Sequence, residues 1–441
     1  MTREHFAMSF RHADTGSQRS ATQPLHLVHH SGARSQPFLE YLRGMRVDTN
    51  FFCTVPMPDA GDPNINPTDR RYGNDAVIEC YKNLVEWSRT ADSLGYDTMW
   101  LTEHHFQFEG YEVLPNLIMF GQHLAMLTKN LRLGQMFNVV PQWHPLRLAE
   151  DFALADIITG GRMEFGVGRG TVPREAWSLG TVVASGDNSM SAEHDRINRQ
   201  TFEESIEIIK SAWTNERFSY RGKQFVFPPD EIPDRGKYVD DLTLIPRPLR
   251  TVDVYQPVTS PETIEYVPRA GHKAVYWLQN ADSQKDKWDR YAAIREEMGE
   301  PVAPGEDRAL VLNIHVGKTR EAAMRRGAPG HDEFCRFLSP YGRFSSYRNA
   351  DGSKVPFDFC PTVEDSNAQK IMAIGSVDDV VDTIGFWKDL LDLKHLCIFF
   401  DFPGISREEM NEQMHLVAEE VMPRLGETME RRPLPNLQPL I

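Results

Sequence analysis

Along most of the chain, short apolar runs alternate with longer stretches in which apolar residues recur every three or four positions. The first run, RVDTNFFCTV at 46–55, is rich in β-branched and aromatic residues and stops at Pro56, which predicts a strand. In DAVIECYKNLVEWSRTADSLG, Val77, Tyr81, Leu84, Ser88 and Ala91 share one face, predicting an amphipathic helix closed by Gly95. The alternation continues with a strand over 97–103, a helix over 114–128, a strand over 131–140, a helix from His144 ended by Gly160 and Gly161, and a strand over 162–168. It resumes with a helix over 201–214, strands over 252–256, 273–277, 309–317 and 395–400, and helices from Pro261 and over 406–425. Short, mostly apolar strands interleaved with helices are the pattern of a parallel sheet built from βα units. Eight of them favour a closed (β/α)8 TIM barrel over an open doubly wound sheet. Two segments break the pattern. ERFSYRGKQFVF (216–227) predicts a β-hairpin turning at Arg221–Gly222. Residues 328–370 are long, weakly periodic and rich in Gly, Pro and aromatic residues, as expected of an insertion such as an active-site lid.

Composition refines the ends and the setting. Residues 1–44 are polar and lack an apolar signal core, so a disordered N-terminal extension is expected, followed by a barrel over 45–425 and a C-terminal tail over 426–441. The net charge of −15, from 48 basic and 63 acidic residues, argues against nucleic acid and anionic membranes as partners. No apolar stretch is long enough for a spanning helix. The five cysteines are scattered and odd in number with no CxxC pair, as expected of free thiols in a reducing cytoplasm.

Catalytic groups in such a barrel sit at the C-terminal ends of its strands. Glu103, His104 and His105 end the second strand, Asn138 the third, Arg169 the fourth, Gln256 the fifth and Asp401 the last. The adjacent histidines raise the possibility of a metal. Neighbouring strand residues point to opposite faces, however, so both chelate only if the strand has already ended. GVGRG (166–170) is not a dinucleotide fingerprint, because Thr171 stands where GxGxxG needs glycine. Its glycines suit close backbone approach, with Arg169 left to meet an anion. In VTSPETIEYV, Ser260 is placed to cap a helix that begins at Pro261 and has Thr263 in its first turn. Such a helix start favours phosphate, although an ordinary cap reads the same way.

Taken together, ADSLGYDTMWLTEHHF, HPLRLAEDFALADIITGGRMEFGVGRG, RQTFEESIEIIKSAWT, GSVDDVVDTI and EEVMPRL resemble the bacterial-luciferase-like flavin-dependent monooxygenases from about Arg46 to Leu425. The resemblance implies a barrel that binds FMN, supplied in reduced form by a separate NAD(P)H:flavin reductase, and that holds no metal. It implies oxygenation of a small or medium organic substrate by O2 through a peroxyflavin. It assigns His104 an acid–base role near the flavin and Glu103 an orienting role beside it. Arg169, Arg199, Ser260 and Thr263 match the family's phosphate ligands. Met136 and Phe137 match residues beneath the isoalloxazine ring, often joined there by a non-prolyl cis peptide, with Asn138 and Gly168 adjoining. Relatives commonly form dimers or tetramers. Gly168 replaces a reactive cysteine of bacterial luciferase, and Met136 and Phe137 replace small residues, which points away from light-emitting aldehyde oxidation. A deazaflavin-dependent oxidoreductase, a non-catalytic flavin-binding protein and a metal-dependent hydrolase are the competing readings.

Overall fold

A computed structural model gives the fold and describes residues 44–184 and 190–436; most of the expected N-terminal extension and the last residues of the tail lie outside that range. Eight parallel strands close into a barrel: β1 (Arg46–Phe51), β2 (Thr98–Leu101), β3 (Arg132–Gln135), β4 (Met163–Gly168), β5 (Val254–Pro257), β6 (Lys273–Trp277), β7 (Arg308–Gly317) and β8 (His395–Phe399). Each strand pairs with the next, and β8 pairs with β1, Arg46 lying opposite His395 and Asn50 opposite Phe399. A helix follows each strand: α1 (Asn74–Leu94), α2 (Leu117–Leu127), α3 (Pro145–Ile158), α4 (Ser191–Thr214), α5 (Pro261–Arg269), α6 (Ala281–Glu297), α7 (Arg320–Leu338) and, after β8, α9 (Arg407–Leu416), with α8 (Val377–Leu391) preceding β8. Among the described residues, no helix is long and apolar enough to cross a membrane.

Several boundaries differ from the pattern-based expectation. The third strand stops at Gln135, turns through a cis Met136–Phe137 peptide and resumes only as Asn138–Val139. The second strand ends at Leu101, so Glu103–His105 belong to the loop beyond it. Helix α4 starts at Ser191 rather than 201, because its first turns, SAEHDRINR, are polar and its apolar stripe begins only at Phe202. Arg199 is therefore inside the helix and not near its start. The hairpin is present, with Tyr220–Arg221 paired to Val226–Phe227, and turns over the residues between. Segment 328–370 is not structureless. Its first part completes α7, and a further strand, Met372–Ser376, pairs with the second half of β7 just beyond its end.

The N-terminal end of the barrel is filled by charge. Asp48 on β1 accepts from Trp100 Nε1 at 2.7 Å, lies 2.7 Å from His395 Nε2 and pairs with Arg46 at 2.7 Å. From the C-terminal tail, Arg432 reaches in to bond Asp97 at 2.7 Å and Glu164 at 2.8 Å. All these acids are buried, and buried charge persists only when paired and hydrogen-bonded. Gly134 makes room for this packing, since a β-carbon there would overlap the Trp100 indole. Burial raises the Glu164 pKa, but Arg432 foremost, with Arg250, Arg46 and Arg132, outweighs it and holds the value near 2 against an ordinary 4.5. A depressed carboxyl pKa adds stability above the unfolded value and loses it as pH falls through the folded one. The stability conferred by Glu164 is therefore complete above pH 4.5 and disappears between there and about 2. Arg432→Ala is expected to cost about 3 kcal/mol at neutral pH, as removal of one partner from a buried ion pair does. Denaturant titrations at pH 7 and across the acid window check both expectations.

Candidate active site

A cavity of about 360 Å³ opens at the C-terminal end of the barrel. The β2–α2 loop supplies Glu103, His104 and Glu112 to its wall, the turn after β3 supplies Met136 and Phe137, and the end of β4 supplies Gly168 and Arg169. Gln256 and Trp277 enter from β5 and β6, Thr263 from α5, Phe337 and Leu338 from the end of α7, and Tyr341, Gly342 and Arg343 from the segment behind it.

The two histidines turn to different carboxylates. His104 Nδ1 lies 2.8 Å from Glu175 Oε1, and its Nε2 lies 3.1 Å from Glu112 Oε1. His105 Nε2 instead meets Glu103 Oε1 at 3.0 Å. Glu103, itself buried, also accepts from the Val139 backbone N–H at 3.0 Å and from Trp143 Nε1 at 3.0 Å. The expected Glu103–His104 couple is thus two separate couples. Glu103 fixes the backbone after the cis peptide, while Glu112 and Glu175 hold His104. Burial lowers the His104 pKa, but Glu112 and then Glu175 overcome it and raise it to about 10. At neutral pH the ring is an imidazolium with a proton on each nitrogen. The Glu175 carboxyl is lowered despite burial, chiefly by its hydrogen bond to His104, and also accepts from Gln107 Nε2 at 2.9 Å. Among the described residues, no group of three or more His, Cys, Asp and Glu is placed to hold a metal ion.

The other anticipated residues gather at the opposite edge. Ser260 and Thr263 form a reciprocal cap: the Ser260 N–H donates to Thr263 Oγ1 at 3.0 Å, and the Thr263 N–H faces Ser260 Oγ at 3.4 Å. Asp195 bridges the two arginines, 3.0 Å from Arg169 Nη1 and 3.1 Å from Arg199 Nη2, and Arg199 lies 3.6 Å from Glu262 in the first turn of α5. Arg169 and Thr263 line the cavity; Arg199 and Ser260 stand behind them. Gly168 lets Phe137 approach, since a β-carbon there would lie 3.2 Å from the Phe137 Cβ. Asn138 does not line the cavity; its Nδ2 donates to the Gly166 carbonyl at 3.0 Å inside the barrel. Asp401 is buried away from the cavity, accepts from the Thr54 N–H at 3.2 Å, and is pushed up to about 7 by burial. Sequence reasoning missed Glu112, Glu175, Gln107 and Arg343. The one signal available was a charged residue, Glu175, in the first turn of a short helix (Pro173–Ser178) directly beyond the glycine-rich end of β4.

A family model described as luciferase-like monooxygenase matches residues 62–390, and the chain belongs to that family. The alkanal monooxygenase alpha chain of a Kryptophanaron alfredi symbiont is 25% identical over 371 residues, spanning 79% of this chain and 94% of the relative. The oxygenase component of the flavin-dependent trigonelline monooxygenase of Acinetobacter baylyi is 31% identical over 159 residues, 34% of this chain and 38% of that protein. Among solved structures, the oxygenating constituent of 3,6-diketocamphane monooxygenase from Pseudomonas putida, a type II Baeyer–Villiger enzyme in complex with FMN, superposes with a TM-score of 0.65 at 19% identity, covering 86% of this chain and 98% of that one.

The histidine pairing has a measurable consequence. A group whose pKa is raised on folding adds stability below its unfolded value and loses it as pH rises through the folded one. The His104 contribution is therefore complete below pH 6.5 and lost towards about 10. In an NMR titration the His104 ring is expected to show no inflection between about pH 6 and 8, in contrast to an ordinary histidine. In Glu112→Gln the inflection should move down into that range; if wild type already titrates there, the imidazolium assignment is wrong.

Proposed function

We propose that this chain is the oxygenase component of a two-component flavin-dependent monooxygenase, taking reduced FMN from a separate NAD(P)H:flavin reductase and oxygenating a small or medium organic substrate with O2. The observation that carries this reading is the pairing, across one cavity, of an anion-binding edge with a protonated imidazole. Arg169, Arg199 and the capped start of α5 supply guanidinium groups, hydroxyls and the positive end of a helix, a donor set suited to a flavin phosphate. Thr102 Oγ1, buried at the cavity wall with no hydrogen-bond partner among the described residues, is a further polar atom suited to the ring system. The residues thus fit FMN. Met136, Phe137 and Gly168 would form the floor beneath the isoalloxazine, with Asn138 tying that floor to β4. The family relationship and the oxygenase naming of the relatives support the same reading.

Bound reduced FMN supplies the electrons that activate O2, chemistry that belongs to the cofactor. The protein's own work is positioning, proton control and exclusion of water. Arg169 and Arg199 would hold the phosphate, and Met136, Phe137 and Gly168 would support the ring. His104 holds protons on both nitrogens, Nδ1 shared with Glu175 and Nε2 with Glu112. Glu112 and Glu175, the two carboxylates that hold the ring, both line the cavity, so the protons of His104 are kept at its wall. The apolar wall of Phe52, Val275, Trp277, Val311 and Leu338 excludes water, favouring transfer of oxygen to the substrate over loss as peroxide.

The test is oxygen uptake and incorporation of labelled oxygen into products, with FMN reduced in situ by a flavin reductase, over a panel of organic compounds. Absence of any oxygenated product across the panel, or tighter binding of a deazaflavin cofactor than of FMN, overturns the reading. Arg169→Ala is expected to weaken FMN binding about tenfold or more, as loss of a charge-assisted phosphate contact does, measured by quenching of flavin fluorescence. His104→Ala should lower turnover about a hundredfold, the usual worth of a positioned acid–base group, while leaving FMN affinity nearly unchanged.

A further inference from the structure

Six charged side chains line the cavity: Glu103, His104, Glu112, Arg169, Glu175 and Arg343. Five of them are bonded to an ionisable side chain. Glu103 meets His105, His104 sits between Glu112 and Glu175, and Arg169 meets Asp195. Arg343 forms no ion pair among the described residues. Its one hydrogen bond runs from Nη2 to the neutral Thr171 Oγ1, at 2.7 Å. A guanidinium carries five N–H donors in a planar fork, so most of its capacity is unused. Partial burial lowers its pKa from the ordinary guanidinium value, and Glu112, which works against that, is already committed to His104 Nε2.

Arg343 is also held in place. Gly342 turns the chain with φ of 66°, and a side chain there would overlap Phe357. On the far side, Phe344 and Tyr347 are wholly buried, and the Ser346 hydroxyl and carbonyl accept from the Asn280 backbone and side chain. The backbone that carries the cation is thus fixed, and the cation shares the cavity lining with Trp277, Leu338 and Phe337. A half-buried guanidinium with no ion pair among the described residues is free to receive an anion, and its fork matches a carboxylate. The phosphate-suited groups lie elsewhere, around Arg169, Arg199 and Ser260, and have their own acidic partners.

We infer that Arg343 is a specificity-determining residue of this cavity, and that the molecule oxygenated there is an organic acid whose carboxylate pairs with Arg343 while its apolar or aromatic body lies against Trp277 and Leu338. This deepens the oxygenase reading, on which the word oxygenated rests, but the charge preference is a property of the cavity alone. The experiment is calorimetric titration of the full chain, with and without FMN, using 3-phenylpropanoate and its neutral isostere 3-phenylpropanamide. Wild type is expected to bind the acid about tenfold or more tightly than the amide. Arg343→Gln should abolish the preference, and Arg343→Lys, which keeps the charge but not the fork, should retain part of it. FMN affinity of Arg343→Gln should stay within about twofold of wild type, in contrast to the loss expected of Arg169→Ala. Equal binding of acid and amide by wild type, or an undiminished preference in Arg343→Gln, overturns the inference. So does a loss of FMN affinity in Arg343→Gln as large as that of Arg169→Ala, which would make Arg343 a phosphate ligand. If wild type fails to bind FMN, the oxygenase reading falls, and the acid–amide comparison on the flavin-free chain still decides this one.

Discussion

Three carboxylates, Glu103, Glu112 and Glu175, are buried in one wall of the cavity, and the site depends on how their charge is met. Desolvated carboxylates persist as anions only beside positive charge or several N–H donors. Glu103 takes the second route, collecting a backbone N–H, an indole N–H and an imidazole. Glu112 and Glu175 take the first, and among the described residues the cation they share is His104. The ring is therefore charged because its surroundings demand it, and its proton supply follows from the packing. The two adjacent histidines are thus drawn to different carboxylates, His104 to Glu112 and Glu175 and His105 to Glu103.

Opposite ends of the barrel treat charge differently. At the N-terminal end, Arg46, Asp48, Asp97, Glu164, His395 and Arg432 pair with one another, and the tail residue Arg432 completes the set. That end is electrostatically closed, which suits a role in stability. At the C-terminal end, by contrast, Arg343 has no ion pair among the described residues. A half-buried guanidinium without countercharge is costly, and a fold that keeps one has placed it where a ligand supplies the missing charge.

Much of the architecture was legible because strands covered on both faces read as short, mostly apolar runs, as in TMWL of β2, KAVYW of β6 and HLCIF of β8. The cap at Ser260 and Thr263 was legible because its partners are three residues apart, a distance at which local sequence carries the signal. Helix α7 was not. Gly327, Pro329 and Gly330 read as breakers, yet the two glycines are where α7 presses on His315 of β7 and on the backbone of Pro403. Its tertiary packing overrides its propensity. His104 stood out because it interrupts an apolar run at the barrel rim. Of its partners, Glu112 lies eight residues on in the same irregular loop and Glu175 in a short helix far along the chain, and neither shares a periodicity with it, so only the folded chain brings them together.

The wall that carries Arg343 is itself anchored by a buried acid. Glu333 on α7 accepts from Arg70 Nε at 2.9 Å, from the Gly61 N–H at 2.8 Å and from the Tyr111 hydroxyl, and pairs with Arg336 at 2.7 Å. Tyr111 in turn stacks on Phe337, with ring centroids 3.9 Å apart. Tyr111 lies in the same loop as His104 and Glu112, so one set of contacts fixes the last turn of α7 against the loop that holds the imidazolium. The α7 wall and the proton-holding loop are thus parts of one rigid unit. Preorganised charges of this kind act on a bound molecule without having to reorganise first, which is the condition under which a single buried cation discriminates between an acid and its neutral isostere.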